Sequence, residues 1–587
     1  MQQSAMLTTR ERVMRMIVAG TIACSMGTAC LAPATAQADE GSITIHQRAN
    51  DGAAYVMYQV FVADIDDDNM ATHVAWTEAN KDAVLAFLDL PVQTTGASMG
   101  YAEWLGSQGL TGEGDHDNAQ NAAGYISAMI AESANAMPTG EPAAKSAGSF
   151  AESLAQHLAA NGVQANPGTA ESGVPYVNDE GYYLAVSAPS TIGADEAGTA
   201  PLWIPLGGSM REIDAKEASP TLSLQVMDDR AGSGWSTAAD SNIGQDLSYR
   251  VQGTLPANIN AYDSYHDRYT IALPAGMALA GGDASSVSVA LDGENVTGQV
   301  RVAYENGVLT VEATDLKSLV QADGEGAIIG PLYDGSGLEI SYSAHLEPGA
   351  VIGESGNATT VERAYTADPV GLSESTATRQ AVFTYAYGAS LLKIDKSNKQ
   401  ALGCARFTLQ VSNGSAANKD GTPSAVAPDA NTDAGSAGMY VQSDGTLGSA
   451  PYEFESDANG ELLVSGIDEG VYIVHETAAP PGYELQDTDI VLTVASELDQ
   501  RDGGLAALSA RVSGGEAADV DGDEAARLLS VDKARGIVRM QAVDDHMLEL
   551  AGAGLPGNGM FYVLAGVLAG AGTTGLASVG RKHGRRK

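Results

Sequence analysis

The feature that most constrains the fold of this chain is a pattern of short strands that alternate apolar and polar residues. Between residues 216 and 550, runs such as Thr221–Val226 and Gly337–Tyr342 alternate in this way, and Gly, Asn and Asp residues separate them. Successive side chains of a strand point to opposite faces, so each run fits a sheet with one buried face. The chain has 587 residues, several times the length of a typical domain. The pattern therefore predicts several β-sandwiches in tandem.

The chain is strongly acidic, with a net charge of −43 from 74 acidic and 31 basic residues. A surface of this sign repels nucleic acid and anionic lipid headgroups, so we expect no nucleic-acid partner. Basic residues cluster at the two ends of the chain, within 10–15 and 581–587. Both ends have the features of processed segments.

Residues 1–38 are predicted to be a signal peptide. A basic start leads into an apolar run from Met16 to Leu31, and small residues follow it. Cleavage after Ala38 fits the small-x-small rule. An N-terminal membrane anchor is the alternative, but the apolar run is short and is interrupted by Thr, Ser and Gly. The chain is therefore expected to be exported.

The C-terminal segment, residues 551–587, contains a short motif, an apolar run and a basic end. The motif consists of Leu555, Pro556, Gly557, Asn558 and Gly559. The apolar run at 560–580 is about long enough to span a bilayer, and the basic residues after it would stay in the cytoplasm. These features alone are also compatible with a permanent transmembrane tail anchor.

In this order the three features resemble the sorting signal of sortase substrates in Gram-positive bacteria. The family pattern is Leu-Pro-x-Thr-Gly, and Asn558 stands where the pattern has Thr. The resemblance implies that a sortase attacks the Asn558 carbonyl, releases Gly559 onward and passes the acyl group to an amine. That amine would belong to peptidoglycan or to a neighbouring pilin subunit, so membrane contact would be transient. Asn558 leaves the sortase class open.

Cysteine usage leaves the exported chain without an internal disulfide. Cys24 and Cys30 lie in the leader, so Cys404 would be alone after cleavage. We expect Cys404 to be a small core residue rather than a nucleophile. Something other than a disulfide is expected to hold the domains together.

Residues 389–550 carry the most specific pattern in the chain. The stretch Val471–Tyr483 matches most positions of the pilin E-box, Tyr-x-Leu-x-Glu-Thr-x-Ala-Pro-x-Gly-Tyr. It follows the strand-like stretches Leu391–Asp395 and Leu402–Leu409 in the order that the family has them. Together they resemble the B-type prealbumin-like domains of Gram-positive pilins and adhesins.

The resemblance implies an isopeptide bond that the domain forms by itself. Lys393 corresponds to the attacking lysine of the first strand and Glu476 to the E-box glutamate. The partner is expected in a last strand at 537–545, where Asp544 shares a face with apolar residues and Asp545 is the fallback. Burial favours a neutral amine, which is a nucleophile, and a protonated Glu476, which can polarise the carbonyl under attack.

The alternative is that Lys393 is an exposed edge lysine and Glu476 a solvated acid. Because side chains alternate along a strand, Glu476 is expected on the same face as Tyr472 and Val474, which favours burial of the glutamate. The direction of Lys393 stays ambiguous, because apolar residues flank it on both faces.

Residues 216–388 resemble the immunoglobulin-like middle domain of fimbrial shaft proteins. That family has a reactive Lys where this chain has Leu224, an acid at Ile271 or Ala272, and an acceptor Asn at Thr359. None of these residues can do the corresponding chemistry. We therefore expect a β-sandwich with a noncovalent core and no isopeptide bond.

Residues 39–215 resemble the first domain of the same fimbrial proteins, with strands expected at Ser42–His46 and Tyr55–Phe61. An Ala-rich stretch at 118–160 has helical spacing, so this domain is expected to be mixed α+β. Lys216, at the junction with the next domain, is a possible polymerisation lysine. It could equally be an interdomain surface lysine, because the Pro that precedes the family's lysine is missing.

The fold expected overall is mainly β, with tandem immunoglobulin-like and prealbumin-like β-sandwiches after a mixed α+β domain. The expected function is that of a structural or adhesive cell-surface protein, either a pilus (fimbrial) subunit or a wall-anchored adhesin. Its partners would be sortase, peptidoglycan or neighbouring subunits, and a possible host surface ligand. Shaft, basal and stand-alone roles stay open.

The alternative is a wall-anchored receptor or enzyme with its activity in residues 39–215. No nucleophile–base pair or metal cluster in the sequence favours an enzyme, so none is expected, and no cofactor either. Acidic runs at 64–69 and 519–524 are incomplete EF-hand loops, and we expect no metal site there.

Overall fold

The structure is a computed structural model. It describes residues 40–46, 54–66, 70–90, 100–135, 148–199, 201–207, 211–214, 220–228, 234–256, 259, 262, 264–320, 332, 336–369, 374–412, 416–417, 423–424, 436–486, 488–514 and 529–547. The predicted signal peptide, the sorting motif, the apolar run at 560–580 and Lys216 lie outside these residues. Among the residues described, no helix is long and apolar enough to cross a membrane.

The N-terminal region, residues 40–214, combines strands with helices. Its described elements are β1 Glu40–His46, β2 Tyr55–Ile65, β3 Ala71–Trp76, α1 Lys81–Leu88, α2 Tyr101–Ser107, α3 Ala119–Asn135, α4 Gly148–Ala160, β4 Thr169–Ala170, β5 Pro175–Asp179, β6 Gly181–Ser187, β7 Leu202–Leu206 and β8 Arg211–Asp214. One sheet has the order β3-β2-β6-β7 with β4 beside β2, and a second has the order β5-β1-β8.

The sheet built on β2 and β6 lies between two cores of this region. On one face, Phe61 and Leu184 pack with the helices, whose apolar residues recur every three or four positions, as Ala122 and Ile126 do in α3. On the other face, residues such as Tyr183 pack against Ile43 and Ile45 of the three-stranded sheet. The helix spacing read from the Ala-rich stretch thus corresponds to α3 and α4.

The middle region, residues 220–385, is a sandwich of two sheets. Its described strands are β9 Leu222–Met227, β10 Trp235–Ser236, β11 Ala238–Asp240, β12 Leu247–Thr254, β13 Asp267–Ala272, β14 Met277–Leu279, β15 Ser288–Leu291, β16 Glu294–Asn295, β17 Arg301–Glu305, β18 Val308–Ala313, β19 Gly337–Leu346, β20 Asn357–Thr366, β21 Glu374–Thr376 and β22 Gln380–Tyr385. One sheet has the order β10-β9-β12-β19-β15-β16 with β14 beside β19, and the other has the order β11-β22-β20-β13-β18-β17 with β21 beside β20.

The core of the middle region forms where the inward faces of its two sheets meet. Along β19 every second residue is buried, including Ile340 and Tyr342, because strand side chains alternate. These residues pack with Tyr269 and Val361 from the opposite sheet. This alternation is the pattern from which the sequence predicted a sandwich.

The C-terminal region, residues 387–547, is again built of two packed sheets. Its described strands are β23 Tyr387–Asp395, β24 Arg406–Val411, β25 Ala416–Ala417, β26 Pro423–Ser424, β27 Tyr440–Val441, β28 Leu447–Gly448, β29 Phe454–Glu455, β30 Glu461–Ile467, β31 Gly470–Ala478, β32 Ile490–Leu498, β33 Leu505–Gly514, β34 Leu529–Asp532 and β35 Ile537–Asp544. One of these sheets has the order β30-β23-β35-β34, and the other has the order β28-β27-β24-β31-β32-β33 with β29 beside β24; β25 and β26 form a separate two-stranded sheet.

The first and last strands of this region are neighbours. β23 pairs with β35 in parallel along its length, from Gly388 opposite Ile537 to Asp395 opposite Asp544. On its other side β23 pairs antiparallel with β30, so it is an interior strand of the sheet. Apolar residues of this sheet, such as Leu391 and Val538, pack against the facing sheet.

The middle and C-terminal regions meet across a close junction. Gly353 and Gly536 approach so closely that a Cβ on Gly353 would lie 2.4 Å from the backbone nitrogen of Gly536. The buried hydroxyl of Tyr387 donates to Oδ2 of Asp240 at 2.8 Å, and Ser496 donates to the same oxygen at 2.7 Å. The junction therefore combines a backbone contact with buried hydrogen bonds.

The predicted fold class, mainly β with a mixed α+β N-terminal region and two-sheet regions after it, is confirmed.

Candidate functional site

Three ionisable side chains converge inside the C-terminal region. Lys393 lies on β23, Glu476 on β31 of the facing sheet, and Asp544 at the end of β35. β31 follows β30 through a tight turn and crosses to the opposite sheet, which aims Glu476 at the strand that carries the lysine. The end of β35 lies beside the end of β23, which brings Asp544 to the same point.

The geometry joins one potential cation to two potential anions. Nζ of Lys393 lies 2.9 Å from Oε1 of Glu476 and is also in contact with Oδ1 of Asp544. The side chains of Lys393 and Asp544 are fully buried, and that of Glu476 is 1% exposed. Lys393 therefore points inward, which the sequence left ambiguous.

The surroundings of the site are partly apolar and partly hydrogen-bonded. The ring of Phe407 lies 5.4 Å from Nζ of Lys393, measured to its centroid. The backbone N–H of Gln486 donates to Oε2 of Glu476 at 2.9 Å, and its side-chain amide donates to the carbonyl of Val543 at 2.8 Å. Gln486 thus fixes the glutamate and the strand before Asp544 together.

Burial of charged groups is costly in a cluster of this kind. Removing an ammonium and a carboxylate from water costs several kcal/mol per ion, and their mutual attraction repays this only in part. Transfer of a proton from Lys393 to Asp544 leaves a neutral amine beside a carboxylic acid, and both lose their charge. An amine in contact with a carboxyl group, beside a second acid, has the arrangement needed to form an amide.

The fallback partner, Asp545, lies elsewhere. Its Oδ2 is 2.8 Å from Nζ of Lys396, and both side chains of this pair are about half exposed. Side-chain alternation along β35 sends Asp544 inward and turns Asp545 to solvent. Of the two candidate partners, the structure brings Asp544 to Lys393.

Sequence reasoning missed three residues beside this site. Asp395 is fully buried, and its Oδ2 accepts a hydrogen bond from the hydroxyl of Tyr483 at 2.8 Å. Nε2 of His546 lies 2.8 Å from the same oxygen. The spacing of Asp395, two residues after Lys393 on the same strand face, was the signal that could have identified it.

The middle region contains a buried charged pair, which lies at other positions than the three that sequence analysis singled out. Leu224, Ile271 and Thr359 are all buried in its core. Arg363 Nε lies 2.8 Å from Oδ1 of Asp267, and both side chains are fully buried. Sequence analysis predicted a noncovalent core but missed this pair.

Arg363 also reaches the opposite sheet. Its Nη1 donates to the carbonyls of Thr221 at 3.0 Å and Thr254 at 2.8 Å. The sequence signal that could have identified Arg363 is its position between Val361 and Tyr365, whose side chains point inward. Side chains two residues apart in a strand share a face, so Arg363 also lies on the core face of β20.

Of the remaining predicted residues, the structure describes Cys404. The prediction that Cys404 is a core residue is wrong, because it is exposed and has a φ of 67° in the loop before β24. Among the residues described, no three His, Cys, Asp or Glu side chains are placed to hold a metal ion. The sorting motif from Leu555 to Gly559 and Lys216 lie outside the described residues.

Comparison with known proteins identifies the C-terminal region. Residues 388–502 match the family model described as the SpaA prealbumin-like fold domain, which confirms the predicted domain type. No curated protein sequence matches the chain.

Solved structures of partly similar fold include three pilins. The T6 backbone pilin of serotype M6 Streptococcus pyogenes has 12% identity and a TM-score of 0.49, with 88% of this chain and 100% of that chain covered. The full-length major pilin SpaD of Corynebacterium diphtheriae has 12% identity and a TM-score of 0.43, with 87% of this chain and 98% of that chain covered. The major pilin SpaA of the same organism has 15% identity and a TM-score of 0.41, with 86% of this chain and 99% of that chain covered.

Proposed function

We propose that this chain is a structural or adhesive cell-surface protein, a pilus subunit or wall-anchored adhesin, stabilised by an isopeptide bond between Lys393 and Asp544. The observation that carries the proposal is the buried contact of Lys393 with both Glu476 and Asp544, in a region whose residues 388–502, including Lys393 and Glu476, match the prealbumin-like domain family. The bond would join the first and last strands of that region.

The reaction proceeds within the folded core. The ammonium of Lys393 passes a proton to Asp544, and the resulting amine attacks Cγ of the neutral carboxylic acid. Glu476, in its protonated form, donates a hydrogen bond to the carboxyl oxygen on which charge develops. A bond forms between Nζ and Cγ, the bond from Cγ to its hydroxyl breaks, and the proton lost from nitrogen leaves with that hydroxyl as water. No oxidant or cofactor is consumed.

The ends of the chain supply the rest of the proposal. Residues 1–38 would direct export, and a sortase would cut between Asn558 and Gly559. The new acyl group would join the chain to peptidoglycan or to a neighbouring subunit, with Lys216 as a possible acceptor in a polymer. The three domains would be residues 39–215, 216–388 and 389–550.

Intact mass spectrometry of purified residues 39–550 tests the cross-link. We expect the wild-type chain to be lighter than its sequence mass by one water molecule. Glu476→Ala and Asp544→Ala should both have the full mass, because one lacks the acid that assists attack and the other lacks the acceptor. Peptide mapping should recover a branched peptide that joins Lys393 to Asp544.

Asp545→Ala is the matched control, since this carboxyl group lies one residue away on the solvent side. It should still lose one water. A full mass for the wild-type chain after prolonged incubation would contradict the proposed bond.

A further inference from the structure

A third carboxyl group lies next to the reacting pair. Asp395 follows Lys393 by two residues on β23, so both side chains belong to the same face. In the parallel register Asp395 is the direct partner of Asp544, and neighbouring strands lie about 4.8 Å apart. Asp395 therefore lies at the same buried strand end as Asp544, beside the contact of Lys393 with Asp544 and Glu476.

Hydrogen-bond donors hold Asp395 in its ionised form. Oδ1 of Asp395 accepts three hydrogen bonds. Ser397 donates one from its hydroxyl at 2.6 Å and one from its backbone N–H at 2.7 Å, and the backbone N–H of Asn398 donates the third at 3.2 Å. The Ser397 hydroxyl, together with Tyr483 and the two backbone N–H groups, holds the pKa of Asp395 well below its usual range. The carboxylate is therefore negatively charged at neutral pH.

The same carboxylate fastens the end of the acceptor strand. Tyr483 comes from the loop after β31, and His546 follows Asp544 by two residues; both contact Oδ2 of Asp395. Their rings stack with centroids 4.4 Å apart. A backbone hydrogen bond holds the same segments together, since the N–H of Glu484 donates to the carbonyl of Asp545 at 3.0 Å.

We propose that Asp395 is a positioning residue for the reaction between Lys393 and Asp544. Its carboxylate fixes the end of β35 through Tyr483 and His546, and its charge retains the proton that the reacting pair shares. This inference rests on the proposed isopeptide bond.

The role of the charge follows from the proton count of the reaction. Amide formation requires Lys393 and Asp544 to hold one exchangeable proton more than the fully deprotonated pair. A nearby negative charge raises the proton affinity of both groups, so the reactive form persists to higher pH. In the described contacts around Asp395 and the reacting pair, the other ionisable groups are Glu476, Tyr483 and His546, while Lys396 reaches outward to Asp545.

The test follows bond formation in the full chain, made by cell-free synthesis with detergent. Synthesis is stopped, the sample is moved to a buffer near pH 6 or near pH 9, and water loss is followed by intact mass. Asp395→Asn should slow bond formation by about tenfold near pH 6, because the strand end is less well fixed. Near pH 9 the slowing should be greater, because the lost charge shifts the whole rate profile to lower pH.

Three variants separate this role from simple destabilisation. Tyr483→Phe removes one fastening hydrogen bond but leaves the charge, so it should slow the reaction by the same factor at both pH values. Asp444→Asn is the matched control, since Asp444 accepts from Thr446 as Asp395 does from Ser397 but does not contact Asp395, Lys393 or Asp544 in the described hydrogen bonds. It should react at the wild-type rate. Thermal unfolding of Asp395→Asn in a Glu476→Ala background measures the structural cost with no bond present.

The outcomes distinguish the inference from the proposed function. Water loss by Asp395→Asn at the wild-type rate, or slowing by the same factor at both pH values, would overturn the positioning role of the charge. A wild-type chain that never loses water would instead refute the cross-link itself.

Discussion

Lys393 and Arg363 are both fully buried cations, yet their chemistry leads to different ends. A lysine can give up its proton when it is buried, so it can become a nucleophile. An arginine keeps its charge in proteins, so Arg363 stays an ion pair with Asp267. One region is thus equipped for a covalent link between strands, and the other uses a permanent charge to link its sheets.

The buried arginine gives a stability prediction. Arg363→Met should lower the free energy of unfolding of the middle region by about 3–5 kcal/mol, because Asp267 would stay buried without its cation. Adding Asp267→Leu should recover part of this loss, since no buried charge would remain. Calorimetry of residues 39–550 measures both variants.

Arg379→Met is the control for lost charge at the surface. Arg379 pairs with Glu362 at 3.7 Å, and both side chains are more than half exposed. Its effect should stay below about 1 kcal/mol. Equal effects for the two single variants would contradict a special role of the buried pair.

His116 gives a pH prediction for the N-terminal region. Hydrogen bonds to Asp117 at 2.9 Å and Asp89 at 2.8 Å raise the pKa of His116 above its ordinary value of 6.5. A raised pKa contributes stability that is full below the ordinary value and is lost as pH rises through the raised one. The thermal midpoint of this region should therefore fall as pH increases above about 6.5.

The size of this effect is limited, because His116 is 41% exposed; it should stay below about 1 kcal/mol. His116→Gln should flatten the pH dependence in a series of calorimetric scans. His475→Gln, in the C-terminal region, should leave the N-terminal transition unchanged. If the thermal midpoint of the N-terminal region still falls with pH in His116→Gln, another ionisable group is responsible for the pH dependence.

At the residue scale, the sequence named residues that meet in the structure, but it did not predict the direction of every side chain. Lys393, Glu476 and the choice of Asp544 over Asp545 came from the E-box resemblance and from strand parity. The inward direction of Lys393 did not, because an interior strand has apolar residues on both faces and parity then carries no signal. Asp395 and Arg363 were missed because a charged residue in a strand is ordinarily read as exposed.

At the element scale, alternation and turn residues predicted the sandwiches, and helical spacing predicted α3 and α4. Short helices such as α2, with seven residues, were missed because so short a segment barely completes two turns. The register of strand pairing could not be predicted from the sequence either. The pairing of β24 with β31 shifts between Arg406 and Phe407, and Phe407 comes to lie opposite Glu476. Such irregularities depend on packing between sheets.

The junction between the middle and C-terminal regions gives a prediction at this scale. Gly353 has a φ of 91°, and a Cβ on it would lie 2.4 Å from the carbonyl carbon of Arg535. Gly353→Ala should separate the backbones there and cost about 1–3 kcal/mol. We expect the unfolding transitions of the two regions to become less coupled in calorimetry.

Gly298→Ala is the control for an added methyl group without strain or contact, because Gly298 has no positive φ and nothing lies within 4 Å of the added Cβ. It should leave both transitions in place. A junction unaffected by Gly353→Ala would mean that the two regions do not depend on this contact.

At the scale of the whole molecule, the three regions differ in how they are held together. The N-terminal region packs helices on a sheet, the middle region uses a buried ion pair, and the C-terminal region brings its first and last strands into one site. The order of these regions followed from the sequence. Their contacts did not, since glycines such as Gly353 and Gly536 give no sequence signal for the surface that they will meet.

The parallel pairing of β23 with β35 has a mechanical consequence. Only Ala386 separates β22 of the middle region from the start of β23. If Lys393 and Asp544 are bonded, a pull on the C-terminal end passes from Asp544 through the amide to Lys393, and then along β23 into the middle region. The chain between these two residues lies outside the path of tension. A change in the length or sequence of that intervening chain would then leave the load-carrying connection intact.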